Sequence, residues 1–134
     1  MNATPVSQTL LSRALLADGV ISGATGALMF AAASPLSQVL GLQSTLLRTA
    51  GISLLPFAAL LVYLALRPRV PRPLVWGIVG YNLLWAIDSL LLLTTGWVAP
   101  TLWGYLFTGV QALAVAVFAG LQYAGLRHSS AALA

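Results

Sequence analysis

Residues 45–95 read TLLRTAGISLLPFAALLVYLALRPRVPRPLVWGIVGYNLLWAIDSLLLLTT. Two apolar runs, 45–66 and 73–95, flank a hinge of alternating arginine and proline, Arg67 to Pro73. About 20 apolar residues at 1.5 Å per residue cross a ~30 Å hydrocarbon core, so each run is long enough to span a membrane as a helix. The runs are continuous rather than alternating, which excludes the ~10-residue strands of a membrane β-barrel. The hinge is short, so the two helices are expected to be antiparallel neighbours. Pro73 suits a first helical turn, where its missing N–H has no partner to lose. Gly96 suits the stop that follows the second run.

The same reading extends outward. An apolar run from Ala14 to Ala33 precedes Ser34-Pro35, and another from Thr101 to Leu126 follows Pro100. The connection 34–44 contains SQVLGLQ, read as a short interfacial turn of helix, and 96–100 is a tight loop. The expectation for residues 1–134 is one all-α transmembrane domain, an up-down bundle of four helices over about 14–33, 45–66, 73–95 and 101–126. Arg13 and AAAS at 31–34 also resemble a cleavable signal peptide. The run is long for that, and it contains Asp18 and several glycines, so a retained first helix is expected.

Composition supports this class. Hydrophobic residues make up 60 % of the 134 and charged ones 6 %. Soluble domains carry about 25 % charged residues, so this chain has too few to coat a water-facing surface. There is no Cys and one His, His128, which removes disulfides, thiolate zinc sites, iron–sulfur clusters and two-His haem. No phosphate-binding glycine loop, zinc motif or nucleophile elbow occurs. The expectation is therefore a non-enzyme with no metal and no cofactor. The net charge of +4 does not predict nucleic-acid binding, because the arginines sit at the ends of apolar runs rather than along a polar face.

Those arginines set the threading. Arg13, Arg67, Arg69, Arg72 and Arg127 fall on one side of a four-pass chain and only Arg48 on the other, so both termini are expected in the cytoplasm. Tyr63, Trp76 and Tyr123 would mark that interface, and Trp97, Trp103 and Tyr105 the opposite one. The Arg67, Arg69 and Arg72 loop can meet anionic lipid headgroups or an acidic partner, or serve as a topology anchor alone. LVYLALR (61–67) and LQYAGLR (121–127) end helices two and four in step. A duplicated hairpin would produce this, and so would the ordinary placement of Tyr and Arg at helix ends.

Few polar residues lie at membrane depth. Charges there cost at least ~2.5–3.5 kcal/mol, so they face the bundle and find partners. Arg48 and Asp88 match in depth, which predicts an ion pair between them. Asp18 has no such cation; Ser22 and Thr25 share its helix face, and Asn82 lies at comparable depth. Asp18 with Asn82 is thus the candidate proton or coupling site, or else a hydrogen-bonded structural carboxylate. Small residues form two stripes: Gly19 and Gly23 on helix one, and Gly104, Thr108, Ala112, Ala116, Gly120 and Ala124 on helix four. Such stripes allow helix backbones to approach closely. Gln111 and Gln122 add interhelical hydrogen-bonding groups.

LRTAGISLLPFAALLVYLALR (47–67), NLLWAIDSLLLL (82–93) and VQALAVAVFAGLQYAGLR (110–127) resemble stretches of small, uncharacterised bacterial inner-membrane proteins of four helices. The resemblance implies a multi-pass bacterial inner-membrane location and no activity. Small multidrug exporters, with an essential Glu in helix one, are a poor match: Asp18 takes roughly that place, but the chain has no Glu. Two functions remain. One is an accessory or structural subunit packing in a membrane complex or a homo-oligomer, with the lipid bilayer as its other partner. The other is a small proton-coupled transporter or channel component using Asp18.

Overall fold

The structure is a computed structural model that describes the backbone of residues 5–133 and the side chains of 10–127. It is all-helical, with no strand among the described residues: α1 Pro5–Ala31, α2 Ala33–Leu40, α3 Ser44–Ala65, α4 Arg72–Thr94 and α5 Leu102–Leu133. Four segments are long and apolar enough to cross a membrane: Leu10–Ala31, Ser44–Ala65, Arg72–Thr94 and Leu102–Arg127. The expected four-helix membrane bundle is present.

Its helix ends differ from the sequence reading in physical detail. The first helix ends at Ala31 rather than at Ser34-Pro35. Ala32 leaves helical geometry (φ −110°, ψ 30°) and the chain re-enters a helix at Ala33. Ser34 and Pro35 therefore open α2, where proline costs no hydrogen bond. Gly41 ends α2 in the left-handed region (φ 71°), its N–H bonded to Ser37 O. A side chain at Gly41 would also stand 2.8 Å from Thr101 N, so both backbone angle and space demand glycine. Thr101 then starts α5. Its N–H donates to Leu40 O at 3.0 Å, its Oγ1 donates to Val39 O at 2.6 Å, and its Oγ1 accepts from Gly104 N at 3.2 Å as an N-cap. The end of α2 and the start of α5 are thereby clamped together. Gly96 (φ 81°) follows α4 as expected.

The helices pack as two sequential hairpins, α1 with α3 and α4 with α5, joined along α1 and α5. The α1–α3 seam is made of glycine. A Cβ on Gly51 would lie 2.6 Å from Gly26 O and 2.8 Å from Phe30 N, and one on Gly19 would lie 2.8 Å from Val62 Cγ2. Gly23 opposes Ala58. Without a hydrophobic drive in lipid, such close backbone approach supplies the attraction through dispersion. The opposite side of the bundle is different: no Cα of α3 comes within 8 Å of one of α4. Side chains bridge that gap. Phe57 stacks on Tyr81 with ring centroids 4.0 Å apart, and Tyr81 continues to Trp85 at 6.2 Å. Ser53 and Tyr81 share a hydrogen bond of 2.9 Å.

The LVYLALR and LQYAGLR ends do match: Arg67 lies 5.3 Å over Tyr63 and Arg127 5.7 Å over Tyr123. The hairpins are nonetheless packed asymmetrically. A two-fold relation would make the α1–α5 and α3–α4 approaches equivalent, and only the first is close.

Small-residue packing of α5 can lie within one chain or between copies, and within one chain the long stripe is only partly inside the bundle. Gly104, Thr108 and Ala112 are buried, but Ala116 and Gly120 are exposed and Ala124 is half-buried. Five steps of four residues turn about 2,000° at about 100° per residue, so the stripe drifts by roughly 200° around the helix. The buried face passes instead through Ala119, Gln122 and Leu126. At this end the close approach is made by Gly125, where a Cβ would lie 2.9 Å from Leu11 Cα. Adding a methyl at Gly51 should thus destabilise the protein by about 1–3 kcal/mol, the usual cost of overpacking. Gly120→Ala, with nothing within 4 Å, should leave the monomer fold unchanged. Thermal unfolding in detergent of the two variants checks this; equal midpoints would contradict the glycine seam.

Candidate functional site

Asp18 lies in α1 with no exposed surface. Its position follows from the local sequence: Leu11, Ala14, Leu15, Asp18, Ser22 and Met29 repeat at helical spacing and form the buried face of α1. A carboxylate on that face is forced into the bundle, where water is excluded and a partner is required. Three hydrogen bonds satisfy it. Ser22 Oγ, one turn on, donates to Oδ1 at 2.9 Å. Asn82 Nδ2 from α4 donates to Oδ2 at 2.8 Å, and Gln122 Nε2 from α5 donates to the same oxygen at 2.7 Å. Asn82 Nδ2 also donates to Gln122 Oε1 at 3.0 Å. Asn82 and Gln122 are themselves buried.

This cluster brings three helices to one carboxylate. No Cα of α4 lies within 8 Å of one of α1, so the Asn82–Asp18 bond reaches across the bundle between helices that do not otherwise touch at the backbone. One group is left over: Asn82 Oδ1 is buried with no hydrogen-bond partner. The sequence reading placed Asp18, Ser22 and Asn82 together, and the structure does so. It left Gln122 as a generic interhelical group. Gln122 lies three residues after Ala119 and four before Leu126, on the face that the burial of those two residues defines.

The proposed Arg48–Asp88 pair does not form. Arg48 is exposed near the start of α3, and its Nη2 donates to Ser34 Oγ at 3.4 Å. Asp88 is exposed on α4, on the wall of a crevice between α3 and α4. Matching depth fixes height along the bundle but not direction around each helix, and these two helices are the pair that stands apart. Leu47, not Arg48, is on the inward face of α3.

At the arginine-rich end, Arg67 Nη1 donates to Tyr63 Oη at 2.6 Å and Arg72 Nη1 to Leu126 O at 3.3 Å. Arg72 thereby ties the start of α4 to α5, while Arg69 is exposed. Among the described residues no group of three His, Cys, Asp or Glu side chains could hold a metal ion.

Fold and site together define a multi-pass helical membrane protein with a buried carboxylate–amide cluster at its centre. No family model, no curated protein and no solved structure matches this chain.

The shared carboxylate oxygen makes the cluster cooperative. Asn82→Ala and Gln122→Ala should each cost about 1–3 kcal/mol, because each leaves buried groups unsatisfied. The double variant should cost less than the sum, since the two amides bond to each other as well as to Asp18. A double-mutant cycle on unfolding free energy tests this; strict additivity would mean the amides act independently.

Proposed function

We propose that this chain is a non-enzymatic accessory or structural subunit of the membrane, packing within a larger membrane complex or a homo-oligomer. One observation carries the reading. Asp18, the carboxylate that a transporter would use, has both oxygens bonded to Ser22, Asn82 and Gln122 and no exposed surface. A coupling site must exchange its proton with water during its cycle. A carboxylate saturated by donors from α1, α4 and α5 suits a strut that fixes how those helices meet.

The membrane is the bacterial inner membrane, with both termini in the cytoplasm. The arginine asymmetry supports this orientation. Arg69, exposed in the α3–α4 loop, and its neighbours Arg67 and Arg72 then face anionic headgroups, at about 1 kcal/mol per arginine near such a surface.

Asp18→Asn separates strut from transporter. It keeps the size of the side chain and one acceptor oxygen for the Asn82 and Gln122 amides, replaces the other oxygen with an N–H donor that Ser22 Oγ can accept, and removes the acid group. The strut reading expects a folded protein with no pH-gradient-driven cation flux in proteoliposomes, before or after the change. A proton-coupled flux in the wild type that Asp18→Asn abolishes would overturn it. Orientation is checked by single-Cys labelling in this Cys-free chain: an impermeant outside reagent should modify Cys at Ala99 and not at Arg69.

A further inference from the structure

The gap between α3 and α4 is not filled evenly. Toward the arginine-rich end Leu61 and Leu64 of α3 and Val75 and Ile78 of α4 belong to one buried cluster with Leu11 and Leu15 of α1 and Leu126 of α5. Toward the other end the gap opens into a crevice of about 480 Å³, walled by α3 and α4 and floored by α1 and α5. Ligand pockets commonly measure about 300–1,000 Å³. The walls are hydrocarbon and aromatic: Leu47, Trp85, Leu92 and Phe107.

Ser89, Thr95, Thr108 and Gln111 add polar groups to this crevice, and Asp88 is the one charged side chain in its lining. Asp88 contributes a carboxylate that forms no ion pair or hydrogen bond among the described residues; Arg48, the arginine of that half of the bundle, is turned to Ser34. Gln111 donates its amide N–H to the sulfur of Met29 at 3.8 Å, and no donor among the described residues meets its carbonyl oxygen. The lining holds no arginine, lysine or histidine. Asp88 lies six residues before the end of α4 at Thr94, about 9 Å along the axis at 1.5 Å per residue. A carboxylate at that depth, beside apolar walls and without a cation, is an incomplete pair.

We propose that the crevice binds an amphiphile with a cationic ammonium head and a hydrocarbon body. The ammonium N–H groups complete Asp88 and the Gln111 carbonyl. The apolar body lies against Trp85 and Phe107, whose ring faces also attract a cation. A partner helix fits less well: one turn, 10–12 Å wide and 5.4 Å tall, takes up roughly 500 Å³, the whole crevice. The proposal goes beyond the structural-subunit reading and stands apart from it, because it uses none of Asp18, Asn82 or Gln122.

The test uses the full chain in phosphatidylcholine nanodiscs and a brominated dodecylammonium probe, whose bromine quenches tryptophan on contact. The expected result is a saturable quenching component that falls in Trp85→Phe and disappears when Trp97, which also lines the crevice, is changed to Phe as well. Asp88→Asn should weaken it at least tenfold while leaving the thermal midpoint unchanged, since Asp88 is exposed and bonded to none of the described residues. Brominated dodecanol of the same length should show no saturable component. Absence of saturable quenching in the wild type would overturn the proposal. So would equal affinity in Asp88→Asn, or equal binding of the alcohol, either of which would make the crevice an ordinary acyl-chain groove. Both results are independent of the flux outcome for Asp18.

Discussion

A carboxylate with no cation, held where water cannot reach, must collect donors from whatever surrounds it. Asp18 is that group, and the way α1, α4 and α5 meet follows from it. Glycine and alanine let α1 and α3 approach closely, yet such contacts carry little directional information. Hydrogen bonds to one shared oxygen do carry it. Asn82 and Gln122 reach Oδ2 at 2.8 and 2.7 Å only when α4 and α5 are set at one depth and one rotation. A slip of either helix would leave a buried carboxyl group and two buried amides unsatisfied together, a heavy penalty in a low dielectric.

Asymmetry is the second consequence. The polar cluster binds α4 to the bundle through α5 and through a side-chain bridge to α1, so α4 has no need to press against α3. Aromatic rings span the remaining distance at Phe57, Tyr81 and Trp85. Beyond them the side chains stop meeting, and the crevice begins. The closed seam and the open side thus have a common origin, in where the sequence places glycine and where it places bulky rings.

Much of this was legible in the sequence. Run length against bilayer thickness gave the four spans, and the short connections gave their antiparallel order. The depth of Asp18 and Asn82, and the four-residue step to Ser22, pointed to the cluster. What was not legible was direction around the helix axis. Arg48 and Asp88 agree in height and diverge in azimuth, so the pairing failed. Ala116 and Gly120 continue a four-residue stripe that rotates away from the core, because an α-helix turns every 3.6 residues. Gln122 was visible as a polar residue, but its face becomes clear only when Ala119 and Leu126 are known to be buried. The break at Ala32 carried no strong sequence signal beyond Pro35, three residues away.

The central claim is that Asn82 and Gln122 spend their amide protons on Asp18 inside the bundle. Solution NMR of the ¹⁵N-labelled protein in bilayer nanodiscs observes those protons directly. The side-chain NH₂ signals of Asn82 and Gln122 should exchange slowly with water and both shift in Asp18→Asn, while those of the exposed Gln43 exchange fast and do not move. Rapid exchange at Asn82 and Gln122, or signals indifferent to the change at Asp18, would contradict it.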